Sequence, residues 1–106
     1  MDEYQVQYTL EAEEDLIRLY QFFLNQENFD YSLAERALSA IESAIQQLGR
    51  FPYNCRKASS NSSYIREVII PFASTGYLAI YEINPITNTV TILAVRHQRE
   101  DDYHCR

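Results

Sequence analysis

The C-terminal run ILAVRHQREDDYHCR, residues 92–106, concentrates the side chains best suited to chemistry. Apolar strand-type residues stop at Val95, and Arg96, His97, Arg99, Tyr103 and His104 follow. With Arg66, these are residue types that stabilise a phosphoryl transition state and move protons. Metal-independent RNA cleavage needs a base for the 2′-hydroxyl, cations for the equatorial oxygens and an acid for the leaving group. Arg66, Arg96, Tyr103 and His104 are the set that such a reaction would use. No spacing among them is diagnostic, and Arg and His at a strand end are more often solvated or ion-paired than catalytic.

Other chemistries find less support. His97, His104 and Cys105 with distant Cys55 lack the close paired spacing of structural zinc motifs, so no metal site and no cofactor is expected. Cys55 lies in YNCRK, where Arg56 and Lys57 favour a thiolate, but loop thiols beside cations are commonplace. Two cysteines so far apart read as reduced, incidental thiols. The acidic stretch EAEEDLIRLY reads as a solvated helix start, because carboxylates there are stabilised by the helix end without any ligand.

The C-terminal residues therefore read as a target-contacting end, with Arg96, His97, Arg99 and Tyr103 as the contacts. Strand alternation puts Arg96 and His97 on opposite faces, so only one of them shares a surface with Arg66. Arg99 is the cation most free to meet a partner. Glu100, Asp101 and Asp102 oppose phosphate binding beside it, since three carboxylates cancel its field within about one Debye length, ~8 Å. A protein target of mixed charge suits such a segment better than RNA does.

The elements that must position these residues are legible upstream. YQVQYT, residues 4–9, alternates Tyr4, Val6 and Tyr8 with polar residues, the period of a half-buried strand. Thr9 offers an N-cap hydroxyl, and Leu16, Leu19, Tyr20, Phe23 and Leu24 carry a helix to about Gln26. Ser32 with Glu35 is a capping box that opens a second helix, whose stripe is Ala34, Ala37, Leu38, Ile41, Ile45 and Leu48. Gly49 ends it, with Pro52 beyond. Residues 50–63 read as a long polar loop. YIREVII (64–70), YLAIYEI (77–83) and TVTILAV (89–95) follow as strands joined by short turn-rich connections, an antiparallel meander.

The predicted fold is α+β, β-α-α-β-β-β, with an antiparallel helical hairpin packed on one face of a small, mainly antiparallel sheet. The direction in which the first strand pairs stays open. A chain of 106 residues with 46% hydrophobic composition is one domain, 1–106, ending in a charged tail at 97–106. No apolar run is long enough to span a membrane, and MDEYQVQY lacks the basic start of a signal peptide, so the expected compartment is the cytoplasm. Net charge is −6, against the usual balance of proteins that grip phosphate backbones. Residues 1–48 carry ten acids against Arg18 and Arg36, while residues 49–106 carry seven cations against five acids. An anionic partner should meet the second half.

The series YTLEAEEDL, AERAL, RFP, IREVIIPF, STGYLAIYEI and ILAVRHQRED, spanning Tyr4 to about Tyr103, resembles the ParE/RelE toxin superfamily of bacterial type II toxin–antitoxin modules. The resemblance implies a compact toxin of the kind associated with plasmid stabilization, neutralised by a cognate antitoxin encoded beside it. RelE-like members are ribosome-dependent mRNA endonucleases, typically basic, with an arginine directly after the G-Y that begins a strand. Here Gly76-Tyr77 is followed by Leu78. That branch also brings a further arginine and a terminal aromatic into its site; Gln98 falls near the first position, and Tyr103 or His104 near the second. ParE-like members carry the ending V-x-H-x-R, present as Val95, His97 and Arg99, and inhibit DNA gyrase without a demonstrated catalytic set. The resemblance thus implies a ParE-like gyrase inhibitor, favouring a non-enzyme while leaving a metal-independent mRNA endoribonuclease open, and meeting nucleic acid only through its target or the antitoxin complex. The alternatives are a RelE-like mRNA endonuclease and a degenerate, non-toxic antitoxin-binding module.

Overall fold

Period-two and period-3.6 patterning lay down the elements in the predicted order, with one addition. The computed structural model describes residues 3–24, 31–59, 62–72 and 75–97. They form β1 (Gln5–Tyr8), α1 (Leu10–Leu24), α2 (Tyr31–Gln47), β2 (Arg56–Ser59), β3 (Ser62–Phe72), β4 (Thr75–Asn84) and β5 (Thr89–His97). The sheet order is β1-β5-β4-β3-β2. β3, β4 and β5 make the expected antiparallel meander, and β1 joins β5 in parallel, with Val6 opposite Val90 and Tyr8 opposite Ile92.

The addition is β2. Residues 50–63 are not a loop throughout: Arg56–Ser59 pairs antiparallel with β3, Arg56 opposite Glu67 and Lys57 opposite Arg66. RKAS has no apolar alternation to announce a strand; the open backbone of β3 and an Arg56–Glu67 ion pair recruit it. Two boundaries also move. α2 already runs at Tyr31, which puts Ser32 inside the first turn, and β5 continues two residues past Val95.

The cap on α1 forms as its sequence dictates. Thr9 Oγ1 accepts the Ala12 N–H at 3.1 Å, while the Thr9 carbonyl accepts the Glu13 N–H at 3.0 Å. The same hydroxyl donates to the carbonyls of Ile92 and Leu93, so one side chain starts the helix and ties it to β5. Both helices lay their stripes on one sheet face. Ala12 and Leu19 of α1 and Ala37, Ile41, Ile45 and Leu48 at α2 meet Ile70, Tyr77, Ala79, Tyr81, Ile83, Val90, Ile92 and Val95 in a single core. Each fully buried aliphatic chain contributes about 1.5–3 kcal/mol of transfer free energy.

Two backbone devices shape the connections. At Gly49, a Cβ would lie 2.9 Å from the Tyr4 carbonyl oxygen, because the end of α2 bonds directly to the start of β1 through Tyr4 N–H and Gly49 C=O at 2.7 Å. In the β4–β5 turn, Asn84 Oδ1 accepts the N–H groups of Ile86 and Thr87, and Asn88 takes the left-handed conformation at φ 52°. Asn tolerates that conformation better than most residues.

Candidate functional site at the sheet faces

Strand register decides which predicted residues can act together. Arg66 stands opposite Tyr81, and His97 opposite Tyr77, so both lie on the helix-side face. Tyr77 and Tyr81 are four residues apart, which separates the two positions by ~13 Å along the strand direction. Arg96 stands opposite Leu78 on the other face. The alternation expected of Arg96 and His97 is present, and it is His97 that shares a surface with Arg66.

Arg66 is committed to the backbone. Its Nε donates to the Ser63 carbonyl at 2.8 Å, and Nη1 donates to the carbonyls of Tyr53 and Cys55 at 2.9 and 2.7 Å. Its guanidinium carbon lies 5.2 Å from the centre of the Tyr53 ring. The Tyr81 hydroxyl, on a fully buried residue, completes the clamp by donating to the Pro52 carbonyl at 2.7 Å. Burial, with a hydrogen bond to the Cys55 thiol second, pushes the Tyr81 hydroxyl well above the ordinary phenol value. Two side chains from the sheet thus satisfy the carbonyls of the segment between α2 and β2, which has no ladder of its own.

His97 packs its ring on Tyr77 edge-on, centroids 5.5 Å apart at 87°. Phe72 approaches the other side of Tyr77 at 6.2 Å. The three rings form a row across β3, β4 and β5 at one end of the sheet. Tyr77 is buried, and that burial raises its hydroxyl pKa. On the opposite face Leu78 is only 2% exposed, between Ile69 of β3 and Arg96 of β5 in register. Arg99, Tyr103 and His104, with Gln98 and Cys105, lie outside the described residues. Among the described residues no three His, Cys, Asp or Glu side chains cluster closely enough to hold a metal ion. No helix among them is long and apolar enough to cross a membrane.

One contact at this site was hidden in an acidic run. Asp15 Oδ2 accepts the Val95 N–H at 3.0 Å, while Oδ1 faces Arg18 at 3.4 Å. β1 pairs β5 only as far as Ile92, so the edge of β5 beyond it needs other partners, and Thr9 and Asp15 supply them. The ladder between β4 and β5 also slips. Ile80 pairs Ala94 but Tyr81 pairs Ile92, which leaves Leu93 as an extra residue. Such a bulge re-aims the strand that follows it, here the part carrying Arg96 and His97. In sequence, Asp15 is one of several carboxylates in the first turns of α1, and nothing marks it out from its neighbours.

Comparison with known proteins places this arrangement. No curated protein matches the chain in sequence. Among solved structures, the toxin–antitoxin complex RelBE2 from Mycobacterium tuberculosis is similar at 24% identity and a TM-score of 0.60, covering 92% of this chain and 93% of that one. The chromosomal ParDE system from P. aeruginosa is similar at 14% identity and a TM-score of 0.67, covering 90% and 96%. The free state of a mutant E. coli toxin RelE is similar at 12% identity and a TM-score of 0.63, covering 97% and 92%. These likenesses establish a shared fold. Residues 6–102, nearly the whole chain, match the family described as ParE toxin of type II toxin-antitoxin system, parDE. The chain is a member of that family, a toxin of the ParE/RelE superfamily.

Proposed function

We propose that this toxin acts in the cytoplasm by binding and inhibiting DNA gyrase, without a catalytic step, and that a cognate antitoxin neutralises it. The observation that carries the reading is Leu78. At the position where the ribonuclease branch places an arginine after Gly-Tyr, this chain has an aliphatic side chain, 2% exposed and packed between cross-strand neighbours. A cation meant for a phosphoryl transition state has to reach the substrate, and an apolar side chain buried in the sheet surface supplies no charge to it. Arg66 supports the same reading, because its hydrogen bonds go to the protein's own carbonyls. Arg96, His97, Arg99 and Tyr103 are the proposed gyrase contacts.

The proposed antitoxin segment is an amphipathic helix, with or without a strand, that orders on the toxin surface. The edge of β5 beyond β1 is already served by Thr9 and Asp15, and Pro71 removes a backbone donor from the stretch of β3 beyond β2. An added strand therefore finds little open backbone along β5, which favours apolar packing over edge pairing at that edge. The test is to add the purified chain separately to gyrase on plasmid DNA and to translating ribosomes. Supercoiling should fail while messenger RNA stays intact. Ribosome-dependent cleavage with unimpaired gyrase would overturn the proposal in favour of an endonuclease, and no effect on either target or on growth would favour a degenerate antitoxin-binding module.

A further inference from the structure

α1 carries apolar side chains on two opposite faces. Ala12 and Leu19, seven residues apart, are 0% and 6% exposed and belong to the core. Leu10 and Ile17, also seven apart, are 67% and 57% exposed. Seven residues make nearly two helical turns, so each pair lines one face, its members about 10 Å apart along the axis. Glu13 and Glu14 fall three and four residues after Leu10 and flank the outer pair. The two helices hold Glu11, Glu13, Glu14, Asp15, Glu35 and Glu42 against Arg18 and Arg36. Arg18 faces Asp15 at 3.4 Å, and no ion pair among the described residues reaches Glu11, Glu13 or Glu14. Carboxylates at a helix start need no ligand, but the helix end does not account for two aliphatic side chains kept in water beside them. Ile86, at 92%, is more exposed than either, yet it lies in the β4–β5 turn, where residues 85–88 carry no charge.

An aliphatic ridge between unneutralised carboxylates is one half of a helix–helix seam, in which apolar side chains interdigitate along the centre and opposite charges meet at the sides. We propose that the outer face of α1 docks a cationic amphipathic helix of a partner protein. That helix sets its own aliphatic side chains against Leu10 and Ile17, and lysines or arginines against Glu13 and Glu14. The assignment rests on neither the gyrase reading nor the C-terminal residues. A second copy of α1 is the wrong occupant, because it would bring carboxylates against carboxylates. An acidic helix meets the same repulsion, and a purely cationic peptide would leave the two aliphatic chains in water. The seam is short, so binding is modest, and its charged sides are exposed, so binding is salt-sensitive.

The test is fluorescence anisotropy of three labelled synthetic peptides with the purified full chain. The first is a helix with leucines at seven-residue spacing flanked by lysines. The second has glutamates in place of the lysines, and the third keeps the lysines but has serines in place of the leucines. The first should bind about tenfold or more tighter than the others, and weaken as added salt shortens the Debye length from about 30 to about 10 Å. Leu10→Ser and Ile17→Ser should each weaken it about tenfold, and Glu13→Gln with Glu14→Gln together about fourfold. Ile86→Ser should leave it unchanged. All these side chains are exposed, so circular dichroism and melting should match the unaltered chain. The proposal is overturned by absence of binding, by the serine peptide binding as tightly as the first, or by indifference to both aliphatic substitutions. An equal loss in Ile86→Ser would also overturn it, since the peptide would then be reading apolar surface anywhere. So would self-association in sedimentation equilibrium that Ile17→Ser abolishes, which would seat a second copy on the ridge.

Discussion

Arg66 and Arg96 are two arginines on adjoining parts of one sheet, and their surroundings differ. Arg66 is on the helix side, its guanidinium held by carbonyls of Ser63, Tyr53 and Cys55. Arg96 lies on the face without helices, the penultimate residue of β5 and beside buried Leu78. Residue type is the same in both, and only the backbone around each separates a structural clamp from a candidate contact. A sheet that must hold an irregular segment against its end needs a multi-donor side chain, and the planar fork of arginine answers several carbonyls at once.

That contrast can be broken first at the clamp. Arg66→Ala should cost about 3 kcal/mol, because hydrogen bonds from a charged donor are worth about 1.5–3 kcal/mol and several carbonyls lose theirs together. Urea unfolding checks it; a loss no greater than that of Arg96→Ala would erase the distinction. Tyr81→Phe should cost about 1–2 kcal/mol by leaving the Pro52 carbonyl without its donor in a buried place.

The same variant sharpens the comparison through pH. The hydroxyls of Tyr8, Tyr77 and Tyr81 are raised above the ordinary phenol value of 10.0, chiefly by burial. A raised folded value means that the unfolded chain releases its phenol proton first. The contribution is therefore complete below pH 10 and is lost as pH rises through the folded-state values. Stability should fall above pH 10, and less steeply in Tyr81→Phe.

Asp15→Ala should cost about 1 kcal/mol, since it strands the Val95 N–H, whereas Asp15→Asn keeps an acceptor and should cost less. Equal losses would show that the charge, rather than the hydrogen bond, matters there. The smallest effect on stability, within about 0.5 kcal/mol, is expected for Arg96→Ala, by the usual tolerance of surface positions. Growth arrest on induction should nonetheless weaken. Full toxicity with an unchanged fold would remove Arg96 from the proposed contacts.

Legibility in the sequence followed the range of the interaction. Thr9 as a cap and the stripe of α2 are local patterns, and both helices formed where those patterns stand. The meander was readable because PFASTG and NPITN mark its turns. β2 was not readable, since RKAS becomes a strand only through a partner that follows it in the chain. The parallel pairing of β1 was equally hidden, because β5 is distant in sequence. At the site, the opposed faces of Arg96 and His97 follow from alternation alone. The clamp role of Arg66 does not, because the carbonyls of Tyr53 and Cys55 lie 13 and 11 residues upstream and share no pattern with it.

The pairing of β1 with β5 also sets an order of events at birth. Gln7 of β1 bonds Thr91 of β5, 84 residues later in the chain. At synthesis rates of ~5–20 residues per second, the first strand waits roughly 4–17 s before its partner exists. Until then Val6 and Tyr8 have no neighbouring strand, and Thr9 has no strand carbonyl to bind. The sheet closes last at β1, so the newborn chain completes it only once Thr89–His97 has been made.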